Sequence, residues 1–375
     1  MAVPLLDLKL QYSTIRDEVM RVTEQVYESQ AFILGKRVDD FERDFAVYCH
    51  SRFAVGVSSG TDALLVALMV HGIGPGDEVI VPAYSFFATA GVVDRLGARP
   101  VFADITLDDY NIDPAKIEER ITPNTRAIMP VYLYGQCADM TAINAIAKKR
   151  NILIIEDAAQ AVGSEFEGRR AGVLGDLGGF SFFPSKNLGA FGDAGAVTTE
   201  DEAMYEKLVD FRVHGMRPKY YHRYVGGNFR IDALQAAVLH VKLRHLESWA
   251  EGRRRNAKLY AELFAHAGLG ERVVLPRELT KRRHVYNQFV IRFPEGRDTR
   301  DRVMNHLRSA GVGCDIYYPL TLPQQACFEN VPGARDRYPS SETAADQTLA
   351  IPVYPELTRD QMAEVVREVK KGLSA

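Results

Sequence analysis

Three short segments carry residues whose types and spacing could do chemistry. The first, Ser58-Ser59-Gly60-Thr61-Asp62-Ala63-Leu64, follows the apolar run FAVGV and opens a pattern with Leu64, Leu65 and Leu68 on one face. A helix start of this kind offers unpaired N–H groups and a positive dipole end, so it can seat an anion; Gly60 lets a phosphate approach the backbone and Thr61 adds a hydroxyl. Taken alone, the segment is equally well explained as helix capping by Ser59 or Thr61. The second, ILIIEDAAQAVGS, has four apolar residues at 152–155 that read as a buried strand, with Asp157 just past its end and Gln160 three residues on. A carboxylate at that depth either caps the next helix or pairs with a protonated ring nitrogen on a cofactor. The third, GGFSFFPSKNLGAFGDAGAV, places Lys186 on a loop interrupted by Pro and Gly, with Ser181 five residues before it and Gly189, Gly192 and Gly195 after. Desolvation among Phe, Pro and Gly would lower the amine's pKa and make it a nucleophile for carbonyls; the alternative is an ordinary surface lysine.

Together these are the parts of a pyridoxal phosphate site: a phosphate seat, a carboxylate for a pyridinium nitrogen and a lysine for a Schiff base. The combination is far more specific than its members.

The elements that must position these residues are legible as well. After a helical opening at about 13–29 and 36–49, apolar strand-like runs begin at 53, 78, 99, 127, 152, 178 and 195 and alternate with helical patterns. That alternation predicts an α/β sandwich with a large, mixed but mostly parallel sheet, in which ligands collect at the carboxyl ends of strands. From Asp232 one helical pattern runs on to AHAG, long enough to connect two domains. Beyond it, NQFVIRF at 287, the helical DRVMNHLRSAG at 301 and an amphipathic RDQMAEVVREVKKGL suggest a smaller α+β domain. The expected division is 1–245 for the large cofactor-binding domain with its N-terminal helices, and 246–375 for the small one.

Composition narrows the class. With 46% hydrophobic and 25% charged residues, the 375-residue chain reads as globular and soluble. Its 46 Lys plus Arg against 49 Asp plus Glu give a formal charge of -3, so nothing points to nucleic acid or an anionic membrane as partner. The longest clean apolar run, Ala63 to Val70, is far short of the ~20 residues a membrane span needs, and acidic and basic residues break up the N-terminus before a secretion signal could form. Cys49, Cys137, Cys314 and Cys327 are scattered and form no zinc-like cluster, so no metal is expected; free thiols in a reducing cytoplasm are.

The sequence resembles the DegT/DnrJ/EryC1/StrS family of sugar aminotransferases, within the fold-type I pyridoxal phosphate enzymes, over nearly its whole length. The resemblance rests on SSGTDAL at 58, GDEVIVPAYSFFATA at 76, EDAAQAVG at 156, FSFFPSKNLG at 180, GGNFRIDALQAA at 226 and YYPLTLPQQ at 317. It implies that Lys186 is the Schiff-base lysine, Asp157 the ring-nitrogen partner and Gln160 a neighbour of the ring hydroxyl. Gly60, Thr61 and Ser181 would hold the phosphate, and Phe86 would stack on the ring face. Asn228 would reach the phosphate from the neighbouring subunit, making a homodimer with shared sites the smallest active unit.

The implied reaction moves an amino group from L-glutamate, leaving 2-oxoglutarate and pyridoxamine phosphate, to a nucleotide-linked keto-sugar. Some members carry histidine in place of the lysine and act as dehydratases; retention of Lys186 favours transamination. YYHRYVGGNFRIDALQAA most resembles members that aminate C-3 of a UDP- or dTDP-linked 3-keto-hexose; C-4 amination is the alternative. Products of that kind feed lipopolysaccharide or glycosylated natural products. The stretch 212–230 holds Arg212, Arg217, Lys219, Arg223 and Arg230 without an acidic residue, and its Tyr221, His222 and Arg230 suit a diphosphate with a stacking base. Tyr317 and Tyr318 either line the sugar pocket or pack in the small domain. Many members read PLH in the late loop where this chain has LTLP at 320–323, which leaves substrate contacts there undefined. Two other classes fit less well. A non-catalytic pyridoxal phosphate sensor would need a DNA-binding segment that is not visible, and a nicotinamide-dependent dehydrogenase would need a GxGxxG opening a helix after the first strand, whereas Gly72, Gly74 and Gly76 follow a helix.

Overall fold

The computed structural model describes residues 2–374. Two helices open the chain, α1 (Leu8–Ser29) and α2 (Lys36–Cys49), and β1 (Phe53–Val57), α3 (Gly60–Val70), β2 (Glu78–Pro82), α4 (Ala88–Arg95) and β3 (Arg99–Ala103) follow. Next come α5 (Pro114–Glu118), β4 (Thr125–Ile128), α6 (Met140–Arg150), β5 (Leu153–Asp157), the short β6 (Glu165–Phe166) and β7 (Arg169–Arg170), β8 (Leu177–Ser181) and β9 (Gly195–Thr199). Helices α7 (Glu202–Phe211), α8 (Ala233–Leu243) and α9 (Leu246–His266) lead to β10 (Arg282–Arg283), β11 (Phe289–Arg292), α10 (Arg297–Ser309), α11 (Pro339–Gln347), β12 (Thr348–Ile351) and α12 (Arg359–Ser374).

Seven strands form one sheet in the order β1-β9-β8-β5-β4-β2-β3. Only β9 is reversed: it pairs antiparallel with both β1 and β8, while the other pairs are parallel. Helix α3 is apolar nearly all round because it is a core element, buried from Ala63 to Leu68 against the sheet. Helix α1 starts earlier than the sequence pattern suggests, since the Asp7 carboxylate accepts from the Lys9 N–H and caps it at Leu8. The long helical pattern after Asp232 is two helices, not one. At Arg244 and His245 the N–H groups turn to the carbonyls three residues back, Val241 and Lys242, and the tightened turn ends α8.

A separate apolar core gathers Tyr260, Phe264, Phe289, Ile291, Leu307 and Val365 under the two-stranded sheet β11-β12. Val3, from the opposite end of the sequence, is completely buried in that core and its backbone pairs with Gly311 and Gly313. All four cysteines are free; Cys49, Cys137 and Cys314 are buried. No helix among the described residues is long and apolar enough to cross a membrane.

Candidate active site

The parallel strands bring their carboxyl ends to one edge of the sheet, and the residues singled out in the sequence converge there. Asp157 ends β5, 4% exposed. One carboxylate oxygen accepts from Thr89 Oγ1 at 2.8 Å and the other from the Ala159 N–H at 3.2 Å. Thr89 is itself fixed by Ser85 Oγ at 2.9 Å. Burial raises the Asp157 pKa, while these bonds and the charge of Lys186 pull it down. Asp157 is not a helix cap: no helix begins directly after it, and one carboxylate oxygen instead accepts from Thr89 in the first turn of α4.

Lys186 sits half-buried on the loop between β8 and β9, its N–H bonded to the Phe183 carbonyl at 2.8 Å. Desolvation brings its ammonium down to about 8, against the opposing pull of Asp157. The loop closes tightly: a Cβ on Gly189 would lie 2.2 Å from the Pro184 carbonyl oxygen. Lys242, from α8, donates to the Gly189 carbonyl, and Asn187 Nδ2 donates to the Val285 carbonyl at 3.1 Å. Lys242 is fully buried, and desolvation lowers it to about 8 as well.

Both accounts of the Ser58–Leu64 segment apply at once. Ser59 caps α3, its hydroxyl accepting from the Asp62 N–H at 3.0 Å, while the Gly60 and Thr61 N–H groups at the head of the helix have no intrahelical acceptor. Gly60 has a packing reason that the sequence does not show: a Cβ there would lie 2.5 Å from the Cβ of Ser181. Two of the expected phosphate-holding residues, from β8 and from the head of α3, are thus side by side. Arg230 joins them through a backbone bridge to Val57, next to the bond from the Ser58 N–H to the Phe229 carbonyl at 2.9 Å. Its Nε is buried without a partner among the described residues.

Gln160 is spoken for at both ends: its oxygen accepts from the Tyr134 N–H at 2.7 Å and its nitrogen donates to the Tyr318 hydroxyl at 2.8 Å. Tyr318 is buried, edge-on to Tyr84 at 5.3 Å, in a cluster with Tyr110 and Tyr134. Tyr317, by contrast, faces a cavity beside Ser185. Phe86 is exposed on the turn after β2. Asn228, Tyr221 and His222 are exposed on the segment that follows α7; Asn228 bridges to Val213 and the His222 ring contacts the His214 carbonyl at 2.9 Å. Among the described residues, Tyr221's backbone bonds go only to Arg217 and Pro218, away from the sheet edge's strands.

Thr89, Lys242 and Tyr134 escaped the sequence reading. Thr89 lies inside the quoted YSFFATA, in the first turn of α4, and like Lys242 and Tyr134 it carries no signal of its role in the sequence.

A pyridoxal phosphate fits these residues. The Gly60–Ser181 cradle has free N–H groups and an unpartnered guanidinium nitrogen beside it, which suits a phosphate. A buried carboxylate and a desolvated amine, close enough that each shifts the other's pKa, suit a pyridine ring and its carbonyl.

The sheet topology and this edge define a fold-type I aminotransferase, and comparison with known proteins gives the family. Residues 13–370 match the DegT/DnrJ/EryC1/StrS aminotransferase family, and the chain belongs to it; its aminotransferases depend on pyridoxal phosphate. The "Pleiotropic regulatory protein" of Geobacillus stearothermophilus is 46% identical over 98% of both chains. The UDP-N-acetyl-3-dehydro-alpha-D-glucosamine 3-aminotransferase of Acidithiobacillus ferrooxidans is 41% identical, covering 99% of this chain and 98% of that one. Among solved structures, DesV of Streptomyces venezuelae in complex with a ketimine intermediate superposes with a TM-score of 0.93 at 39% identity, covering 100% of this chain and 99% of the other.

Proposed function

We propose that the protein transfers an amino group from L-glutamate to C-3 of a UDP- or dTDP-linked 3-keto-hexose. One observation carries the reading: Lys186 and Asp157, from two different segments, are held at the same strand-end edge and are electrostatically coupled. Bound pyridoxal phosphate supplies an electron sink and the carbonyl that receives and returns the amino group. The chain supplies the rest. Asp157, steadied by Thr89 and Ala159, holds a proton on the ring nitrogen. Lys186, with its amine brought down to about 8, would hold the cofactor through its carbonyl and would take up and return the proton at the α-carbon of the donor. Gly60, Thr61, Ser181 and Arg230 bind the phosphate, Phe86 covers the ring, and Gln160 lies by the ring hydroxyl. Asn228 completes the phosphate site of the neighbouring protomer in a homodimer.

The C-3 position is supported by the name of the Acidithiobacillus relative, a 3-aminotransferase, and by that of a 40% identical Streptomyces venezuelae protein, a dTDP-3-amino-3,4,6-trideoxy-alpha-D-glucose transaminase. Tyr221, His222 and Tyr317 are proposed to meet the nucleotide sugar; Tyr318 acts through Gln160. A division into 1–245 and 246–375 is supported by the separate core under β11-β12, which nonetheless recruits Val3. A cytoplasmic location fits the free cysteines.

The first test is the visible spectrum of the protein loaded with pyridoxal phosphate, before and after L-glutamate, in wild type and Lys186→Ala. Fading of the cofactor band in wild type alone is expected; a protein that takes no cofactor, or that ignores glutamate, overturns the reading. The same experiment bears on a sensing role of the kind suggested by the Geobacillus relative's name, which would leave the band unchanged. Amination of a 4-keto but not a 3-keto nucleotide sugar would move the position to C-4.

A further inference from the structure

Lys242 is a buried lysine that the reaction as derived does not use. It comes from the last turn of α8 and is 2% exposed. Its ammonium donates to the Gly189 carbonyl and lies 5.2 Å from the centre of the Phe191 ring. No carboxylate among the described residues forms an ion pair with it, and burial brings it down only to about 8, so it is mostly charged at neutral pH. Burying an uncompensated cation is costly, and an apolar side chain of the same reach would fill the space without that cost. What the ammonium holds is the loop that carries Lys186.

That loop leaves the sheet at Phe182, whose N–H donates to the Ala194 carbonyl at 2.8 Å, and its tip is closed by the Ala190 N–H donating to the Phe182 carbonyl at 2.7 Å. Lys186 lies within the tip. Gly189, one residue before the closure, is pressed so close to Pro184 that no side chain fits, and its carbonyl reaches out to α8. Past its first turn a helix has no free backbone N–H, so only a side chain can answer that carbonyl. Lys242 does so. Gln235, about two turns earlier on the same face of α8, grips the next stretch: its oxygen accepts from the Phe191 N–H at 2.8 Å and its nitrogen donates to the Phe191 carbonyl at 3.3 Å. The chain then runs on to Gly195, where a Cβ would lie 2.4 Å from the Ser59 carbonyl oxygen, against the anion seat. One helix face therefore holds the segment midway between Lys186 and that seat.

We propose that Lys242 is a positioning residue for Lys186: by pinning the Gly189 carbonyl to α8 it fixes where the Lys186 amine stands relative to the anion seat. A charged donor makes a stronger bond to a carbonyl than a neutral one. Such firmness matters here, because a misplacement of about 1 Å between reacting groups costs on the order of 10²-fold in rate. The proposal rests on the aminotransferase reading, in which Lys186 captures the cofactor.

The test compares two ligands of the full-length, cofactor-free protein. Pyridoxal phosphate is captured through its carbonyl by Lys186, and stopped-flow absorbance reads that rate. Pyridoxamine phosphate has no carbonyl, so its affinity, read by titration calorimetry, reports on the seat and the ring contacts alone. Lys242→Met keeps the length and volume of the side chain without the ammonium. Capture should slow at least about tenfold while pyridoxamine phosphate affinity stays within about twofold of wild type. Tm should change little, relief of the buried charge offsetting the carbonyl left without a donor. A residue that only held the fold together would lower Tm and both cofactor readings. Gln235→Leu frees the Phe191 N–H where the chain is open to water, and should slow capture in the same selective way. It decides the matter by the same two readings if Lys242→Met does not fold. Capture at the wild-type rate, or a loss of pyridoxamine phosphate affinity in step with capture, overturns the proposal. Lys186→Ala, run alongside, keeps failure of the underlying reading distinct: undiminished capture in that variant removes the role of Lys186, and the proposal with it, whatever Lys242→Met shows.

Discussion

At the scale of single residues, the site works by setting two pKa values against each other. Buried Asp157 is pushed up and Lys186 is brought down to about 8, and each opposes the other's shift. The folded-state pKa of Lys186 is therefore below its unfolded value, so its neutral form is favoured on folding and the protonated form gains as pH falls through about 8. The rate of cofactor capture by the cofactor-free protein should rise with pH, with a midpoint near that value. Asp157→Asn removes the charge that holds the amine up, so its midpoint should move to lower pH; stopped-flow absorbance across a pH series checks both. An unmoved midpoint in Asp157→Asn would show that the two groups are not coupled. Lys186 and Asp157 were legible in the sequence because each follows a strand-like run in unusual company. Thr89 was not, because a threonine in the first turn of a helix looks ordinary until a fold sets it against a buried carboxylate.

At the scale of elements, the phosphate seat is a contact between the head of α3 and the end of β8. Gly60→Ala drives a Cβ into the Cβ of Ser181 and, beyond that, into strand backbone 3.0 Å away, which cannot swing aside. We expect a loss of about 1–3 kcal/mol, the usual cost of overpacking, together with weaker cofactor binding. Adding Ser181→Gly removes the Cβ and Oγ contacts but leaves the Cα 3.0 Å away, so the double variant should recover Tm only in part while cofactor affinity stays low; thermal unfolding and a cofactor titration read the two effects separately. The strand runs at 53, 78, 99, 152 and 195 were legible because buried strands of a parallel sheet are apolar and short. The break between α8 and α9 was not, since Leu243 and Leu246 keep an apolar pattern across it and only the tightened turn at Arg244–His245 reveals it. The reason for Gly60 was likewise invisible, being a close approach between segments more than a hundred residues apart.

At the scale of the whole molecule, large apolar side chains remain uncovered in one chain: Phe183 and Phe191 flank the Lys186 loop, Phe32 and Ile33 precede α2, and Val225 is 92% exposed beside Asn228. The proposed homodimer would bury some of these against the second copy and would bring Asn228 to the neighbouring site. Mixing inactive Lys186→Ala with inactive Asn228→Ala protomers should then restore activity, because a mixed dimer holds one site with both residues intact. After unfolding and random reassembly, about a quarter of wild-type activity is expected, half the dimers being mixed and each keeping half its sites. No recovery would mean that Asn228 serves its own chain.

The reversed strand β9 has a consequence in time. β1 is among the first strands to leave the ribosome, yet its only sheet partner is β9, and the head of α3 is flanked by Gly195 and Ser181. The anion seat encoded near residue 60 therefore stays unassembled until residue 199 has emerged, and Arg230 arrives later still. Closing so long a loop is slow, which places the β1–β9 pairing late in folding and leaves the nascent chain unable to hold its cofactor until most of the sheet exists.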